Sequence, residues 1–132
     1  MSNYSTNKIF ADSKINTAID RLHYEIGVAL PELVVDDHIE LTGRAAAILQ
    51  GQAVQACKNV ILLVNDASAY SFIQNGLPKK LTHKGVVKFK ERTIYYLEGL
   101  ILEIWYVVYP MDKLLAGGVY VQHITKINPI ML

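Results

Sequence analysis

The chain has 132 residues, of which 52% are hydrophobic and 19% are charged, with a single cysteine and a net charge of +1. This length corresponds to one domain and excludes a multi-domain enzyme, and one cysteine excludes a secreted module held together by disulfides. The hydrophobic share excludes a disordered chain. A charged share below the usual value of about 25% fits either a core rich in Val and Ile under an ordinary surface or a subunit that buries apolar surface against a partner.

The first predicted element is an amphipathic helix. Residues 2–7 are polar, and residues 1–12 are expected to form an N-terminal arm. A single domain is expected over residues 13–127, followed by an apolar C-terminal tail over residues 128–132. Ser13 is a suitable helix N-cap. After it, apolar side chains recur at the spacing of one helix face, which predicts a helix up to about Pro31: Ile15, Ala18, Ile19, Leu22, Ile26 and Ala29.

A strand, a helix and a second strand are predicted next. Residues 38–42 form a short strand that a turn at Gly43 ends, and residues 44–56 form a helix whose alanines let it lie close to a sheet. Residues 59–65 contain an uninterrupted apolar run, which is typical of a strand covered on both faces. A strand, a helix and a buried strand in this order predict a right-handed βαβ unit.

The second half of the chain is predicted to consist mainly of strands. Residues 66–75 form a short helix that Asp66 caps and that Gly76 and Pro78 end. From Lys84 the apolar spacing changes to two, which predicts an antiparallel meander. Its strands run from residue 84 to a turn at 91–92, over 93–97, and, after a turn at 98–99, over 100–108.

Together these elements predict one α/β (α+β) domain, in which the βαβ unit is extended by the antiparallel meander into a mixed sheet with helices packed on it. Residues 111–115 are expected to make one helical turn, and residues 119–124 a last strand. No segment has the about 20 apolar residues of a membrane-spanning helix, so no membrane association is expected. The lone Cys57 fits a reducing compartment, so we expect a cytoplasmic location, or a phage particle made in the cytoplasm.

The turn between the first predicted strand and the second helix is a candidate anion-binding site. Gly43 and Arg44 lie where backbone N–H groups at a helix N-terminus can bind an anion. A tight turn that needs a flexible residue explains the same glycine. One glycine also does not match the spacing of a P-loop or of a dinucleotide-binding loop.

Glu103 is the candidate for a catalytic residue. It lies in a predicted strand between Leu102 and Ile104, and alternation puts it on the face of Ile101 and Trp105. If that face is the core, Glu103 must be paired or functional, and if the face is solvated, Glu103 is an ordinary surface residue.

The histidines lack the spacing of metal ligands, so no metal site is expected: His23, His38, His83 and His123.

Basic residues cluster in one segment of the chain. Residues 1–57 carry a net charge of −3 and residues 58–132 a net charge of +4. Six basic residues lie close together: Lys79, Lys80, Lys84, Lys88, Lys90 and Arg92. A period of two would put the last four on one strand face, which can follow a phosphate backbone or can be the solvated face of an edge strand. Because the chain is nearly neutral, the solvated face of an edge strand is the favoured interpretation, and nucleic acid stays a possible partner.

The layout over residues 39–108 resembles the nucleotidyltransferase-like fold, in its small bacterial and phage-associated form. A strand leads to a glycine turn and a helix at Leu41-Thr42-Gly43-Arg44-Ala45-Ala46, a second strand follows, and a later strand carries an acid at Leu102-Glu103-Ile104. The resemblance implies two carboxylates on the second strand, one residue apart, which hold divalent metal together with a third acid. Lys58-Asn59-Val60-Ile61 stands where the pair belongs, so the resemblance implies a degenerate site.

Three functions follow from these features. The first is a non-catalytic assembly or interaction subunit with no cofactor, which binds a protein partner or forms a homo-oligomer, as a phage or mobile-element structural component would. The second is a nucleotidyltransferase-like enzyme with an atypical site at Glu103. The third is a module that binds nucleic acid or phosphate through the basic segment from Lys79 to Arg92.

Overall fold

The computed structural model of the chain describes residues 13–52, 58–116 and 119–131, with side chains from residue 19 onward. In this part of the chain, α1 (Ser13–Ala29), α2 (Gly43–Leu49) and α3 (Ala67–Asn75) are the α-helices. The strands are β1 (Ile39–Thr42), β2 (Asn59–Val64), β3 (Gly85–Lys88), β4 (Arg92–Leu97), β5 (Leu100–Tyr106), β6 (Leu114–Ala116) and β7 (Val119–Val121). Short 3₁₀ helices occur at Val35–Asp37, Leu77–Lys79, Ile124–Lys126 and Pro129–Met131.

The seven strands form one mixed sheet in the order β3-β4-β5-β2-β1-β7-β6. β2 is parallel to β5 and β1 is parallel to β7, whereas the other neighbours are antiparallel. This confirms the predicted α/β class with a mixed sheet, and the meander of β3, β4 and β5 within it. Among the described residues, no helix has the length and apolar content to cross a membrane.

The predicted right-handed βαβ unit is wrong, because β1 and β2 are antiparallel neighbours, with Thr42 opposite Ile61. All residues of β2 after Asn59 are buried, as the apolar run predicts. Such a run indicates burial on both faces of a strand, but it carries no information about the direction of the neighbouring strand.

Three local predictions are also corrected. The expected helical turn over residues 111–115 is wrong, because Leu114 begins β6, which pairs with β7. The first hairpin turns at residues 89–91 and not at 91–92, so Arg92 is the first residue of β4. The second helix begins at Gly43 and ends at Leu49, and residues 53–57 lie outside the described part. The predicted N-terminal arm also lies outside the described residues.

The two faces of the sheet have different surroundings. One face packs against the helices and forms the main core, to which α1 contributes Ile19, Leu22 and Ile26. The other, which we call the open face, carries the alternate residues of each strand. Over β1 and β2 this open face is crossed by residues 107–113, the crossing loop, because the Asp112 N–H donates to Glu40 Oε1 at 3.1 Å.

Candidate functional site

A cleft of about 590 Å³ lies on the open face, where β2, β5 and β4 meet the first turn of α2. Its charged lining consists of Arg44, Lys58, Arg92 and Glu103. Another wall comes from residues 128–131, the C-terminal segment, through Asn128, Ile130 and Met131. Asn59, Ile61 and Trp105 complete the described lining. Among the residues that the structure describes, the lining of the cleft therefore has three basic side chains and one carboxylate.

Glu103 is held on all sides by residues of its own chain. Its Oε2 accepts a hydrogen bond from Asn59 Nδ2 at 3.2 Å, and its Oε1 accepts one from Trp105 Nε1 at 3.3 Å. Arg92 forms an ion pair with Oε1 at 3.9 Å. The side chain is only 14% exposed. Glu103 is thus a paired carboxylate of a partly buried cluster on the open face, and a catalytic role for it stays a prediction.

Arg92 fixes the geometry of this cluster. Its guanidinium carbon lies 4.7 Å from the centroid of the Phe89 ring and 5.1 Å from that of the Trp105 ring. Arg92 is opposite Trp105 in the strand register, so the contact follows from the pairing of β4 with β5. An arginine between two aromatic rings is held by cation–π attraction as well as by its carboxylate.

The glycine turn lies at the edge of the cleft. Gly43 has φ of +69°, in the left-handed region that favours glycine. A Cβ at this position would lie 3.1 Å from the Met131 carbonyl oxygen and 3.5 Å from Ile61 Cδ1. The C-terminal segment therefore packs directly on the turn. Arg44 lines the cleft, and Gly43 lies beside the lining residues Ile61 and Met131. Anion binding by Gly43 and Arg44 stays a prediction.

The residues of the cleft do not fit the divalent metal that the sequence resemblance implies. The resemblance implies a carboxylate pair where this sequence has Asn59 and Ile61, and Ile61 lies opposite Glu103 in the parallel pairing of β2 with β5. Asp66, the next acid along the chain, caps α3, because its Oδ2 accepts the Ala69 N–H at 2.9 Å. In the described part of the chain, no group of three His, Cys, Asp or Glu side chains has the arrangement of a metal site. No metal-dependent step is therefore derived for this cleft.

The basic segment does not form a single stripe. Lys79 belongs to a 3₁₀ helix, Lys84 precedes β3, and Lys90 lies in the hairpin turn. Lys88 is opposite Thr93 on the helix-covered face, whereas Arg92 is opposite Trp105 on the open face. The predicted shared face of Lys84, Lys88, Lys90 and Arg92 is therefore wrong, because the hairpin reverses the chain before Arg92. Binding of nucleic acid by these residues stays a prediction.

Glu40 is a buried carboxyl group that the sequence analysis missed. It is 2% exposed, and its Oε2 has no hydrogen-bond partner among the described residues. Burial raises the pKa of Glu40, which the Asp112 N–H and Lys126 partly offset and the Asp112 carboxylate reinforces. The signal in the sequence was a glutamate between Ile39 and Leu41. The sequence alone does not identify Glu40 as buried, because alternation in a short strand usually puts a charged residue between two apolar ones in solvent.

Comparisons with known proteins give little beyond this geometry. No protein-family profile matches the chain, and no curated protein matches it. The solved structure of a candidate nucleotidyltransferase from Thermotoga maritima aligns with a TM-score of 0.41 and 17% sequence identity, over 77% of this chain. The chain spans 62% of the length of that protein. A likeness of this degree does not by itself assign a fold or an activity, so the function rests on the cleft and on the surfaces around it.

Proposed function

We propose that this chain is a non-catalytic interaction subunit built on a nucleotidyltransferase-like scaffold. The observation that carries the proposal is the state of Glu103, whose two oxygens are engaged by Asn59, Trp105 and Arg92. Among the described residues that line the cleft, it is the one carboxylate. Metal-assisted phosphoryl transfer needs two or three oxygen ligands that converge on the ions.

The strand layout supports the choice of scaffold. β1 leads through the Gly43 turn to α2, and the chain returns as β2 beside β1. β5, which carries Glu103, lies parallel to β2 on its other side, so that Asn59 is opposite Ile101 and Ile61 is opposite Glu103. The positions of the implied carboxylate pair thus adjoin the position of the third acid. The order of these elements along the chain is the one on which the sequence resemblance rests.

The surface around the cleft supports a role in binding another protein. Large apolar side chains on the open face are exposed, among them Tyr96 at 41% and Ile101 at 37%. Ile130, in the C-terminal segment at the rim of the cleft, is 92% exposed. Exposed apolar side chains at these positions support a role in binding another protein.

A nucleotidyl-transfer assay tests the absence of catalysis. The purified chain is incubated with each nucleoside triphosphate and Mg²⁺ or Mn²⁺, with the Glu103→Gln variant as the matched control. We expect no transfer from either protein, because one engaged carboxylate cannot hold the ions. Metal-dependent transfer by the wild type that Glu103→Gln abolishes would overturn the proposal.

A further inference from the structure

The crossing loop covers a buried carboxyl group that lies outside the cleft. Glu40 is on the open face of β1, and its Oε1 accepts the Asp112 N–H of the loop at 3.1 Å. Its Oε2 has no hydrogen-bond partner among the described residues. Glu40 is therefore bound to the loop through one oxygen, whereas the other oxygen is buried without a donor from the described part of the chain.

The two ends of the crossing loop are attached without Glu40. At the first end, the Val107 N–H donates to the last residue of β2 at 2.9 Å, and Asn65 Nδ2 donates to the Tyr109 carbonyl oxygen at 3.0 Å. At the other end, Lys113 forms an ion pair with Asp37. The middle of the loop can therefore lift from the sheet while both ends stay in place.

Asp112, in the middle of the crossing loop, also holds the chain that leads to the cleft. Its Oδ1 accepts a hydrogen bond from Lys126 Nζ at 2.7 Å, and its Oδ2 accepts the His123 N–H at 3.3 Å. His123 and Lys126 begin and end the 3₁₀ turn that precedes the C-terminal segment. Asp112 therefore connects Glu40 with the chain that continues into one wall of the cleft.

The backbone beside Asp112 is in an unfavourable conformation. Lys113 has φ of +57°, in the left-handed region that residues other than glycine rarely adopt. Strain of this kind persists only where the surrounding contacts impose it. Loss of the contact between Asp112 and Glu40 therefore favours a different conformation of the loop.

The charged and titratable groups around the middle of the loop come from four elements: Tyr109, Asp112 and Lys113 from the loop, Tyr120 from β7, His123 and Lys126 from the 3₁₀ turn, and Asp37 from the 3₁₀ helix before β1. Burial raises the pKa of Glu40, the Asp112 N–H and Lys126 oppose this shift, and the Asp112 carboxylate reinforces it. Burial and then the Glu40 carboxylate raise the pKa of Tyr109, which places its hydroxyl near the same group. An ionised Glu40 would thus be buried beside a second carboxylate.

We infer that Glu40 is a pH-dependent switch for the crossing loop: with its proton it holds Asp112 on the sheet, and without its proton the middle of the loop opens. A protonated Glu40 still accepts the Asp112 N–H through Oε1, and it puts no charge into the interior. An ionised Glu40 gains hydration when the loop lifts. The inference goes beyond the proposed interaction role and does not depend on it.

The direction of the pH dependence follows from the two states of the loop. The closed loop binds the Glu40 proton more tightly than the open loop, in which the solvated group has its ordinary pKa of 4.5. The equilibrium constant for opening should therefore rise by up to about tenfold per pH unit above pH 4.5. It should become constant once the pH exceeds the raised pKa of the closed state.

Amide hydrogen exchange of the full chain, followed by NMR at a series of pH values from 4.5 upward, tests the switch. Each protection factor is taken relative to the intrinsic exchange rate at the same pH, because that rate itself rises with pH. The protection factors of the Asp112 and His123 amides should fall together by up to about tenfold per pH unit and then level off. A carbon-13 titration of the Glu40 carboxyl group should have its midpoint at the pH where they level off.

Low concentrations of urea separate opening of the loop from unfolding of the chain. Opening a loop exposes little surface, so exchange of the Asp112 and His123 amides should not respond to urea, whereas exchange of core amides such as that of Leu62 should accelerate. An equal urea response at all three amides would show that the whole chain unfolds, and it would overturn the switch.

Three variants identify the group that titrates. Glu40→Gln keeps an oxygen for the Asp112 N–H and has no proton to lose, so its protection factors should not change with pH. Glu98→Gln, the same substitution in the exposed turn between β4 and β5, should behave like the wild type. His123→Gln removes the imidazole beside Asp112, and the pH dependence at the Asp112 amide should remain.

Other outcomes contradict the switch. Protection factors that are constant in the wild type, a pH dependence that survives Glu40→Gln, or one that His123→Gln abolishes would each exclude Glu40 as the controlling group. A carboxyl midpoint that differs from the pH of levelling would do so without any variant. Nucleotidyl transfer by the chain would end the non-catalytic role and leave the switch standing.

Discussion

Glu40 shows how one buried carboxyl group can make stability depend on pH. Its Oε1 accepts the Asp112 N–H, its Oε2 has no hydrogen-bond partner in the described part of the chain, and burial raises its pKa above the ordinary value of 4.5. The folded state therefore binds the Glu40 proton more tightly than the unfolded state does. The stabilisation from this proton is fully present below pH 4.5 and is lost as the pH rises through the raised folded pKa.

Glu40→Gln removes this pH dependence. The amide keeps an oxygen for the Asp112 N–H and carries no charge at any pH. We expect the variant to gain stability relative to the wild type as the pH rises from 4.5 to 8, by about 1 kcal/mol, the lower end of the cost of an unsatisfied buried polar group. Urea unfolding of both proteins at a series of pH values measures the difference. A difference that does not change with pH would show that Glu40 ionises in the folded chain as freely as in the unfolded one.

At the scale of elements, the sequence predicted those whose signal is local. α1 follows from the spacing of its apolar residues, and the Asp66 cap from the residue type before α3. β6 was missed because three residues, Leu114 to Ala116, are too few to show alternation, and they are a strand only because β7 pairs with them. The direction of β2 relative to β1 was also missed, because strand pairing is a contact between distant residues.

The candidate site, too, could be predicted only where the signal in the sequence is local. Glu103 was identified from its apolar neighbours in the sequence, and Asn59 and Ile61 from the position of an implied carboxylate pair. The ring sandwich around Arg92 could not be predicted, because it depends on a hairpin that turns at residues 89–91 and on the β4–β5 register. A shift of that turn by one residue reverses the face on which every later side chain of β4 lies.

The contact between the C-terminal segment and α2 gives a prediction at the same scale. Gly43→Ala forces a side chain into a left-handed residue and towards the Met131 carbonyl oxygen at 3.1 Å. We expect a loss of about 1–3 kcal/mol in the free energy of unfolding. Gly51→Ala is the matched control, because Gly51 also has a positive φ, of +86°, and a Cβ there meets no atom within 4 Å. Chemical denaturation measures both variants, and an equal loss of stability in the two would show that the contact with the C-terminal segment adds nothing.

At the scale of the whole molecule, the charge is divided unevenly along the sequence. The net charge is only +1, but residues 1–57 carry −3 and residues 58–132 carry +4. The cleft on the open face is lined by Lys58 and Arg92 from the second part of the sequence and by Arg44 from the first. The division along the sequence is therefore not a division between two surfaces.

This division bears on nucleic-acid binding, because the basic segment does not lie on one face. We expect the Kd for duplex DNA and for single-stranded RNA at physiological salt to be above about 10⁻⁴ M, which is the weak limit of ordinary non-specific binding. Lys88→Ala/Lys90→Ala should not change it. The control is Lys113→Ala, a lysine near the opposite edge of the sheet. The opposite result would be tight binding whose affinity falls steeply with salt, with a slope that the double variant reduces and the control variant leaves unchanged. That result would show that the basic segment binds nucleic acid.

The pairing of β7 with β1 has a consequence for the synthesis of the chain. Leu41 lies opposite Val121, and the Thr42 hydroxyl donates to Gln122, 80 residues later. A ribosome adding about 5–20 residues per second takes about 4–16 s to make that interval. Until then β1 has β2 on one side and an unpaired edge on the other, which is a template for strands of any chain nearby. The hairpin of β6 and β7 can pair with β1 of its own chain or with β1 of a neighbouring nascent copy. The outcome of this last folding step therefore depends on the distance between nascent chains on the same messenger RNA.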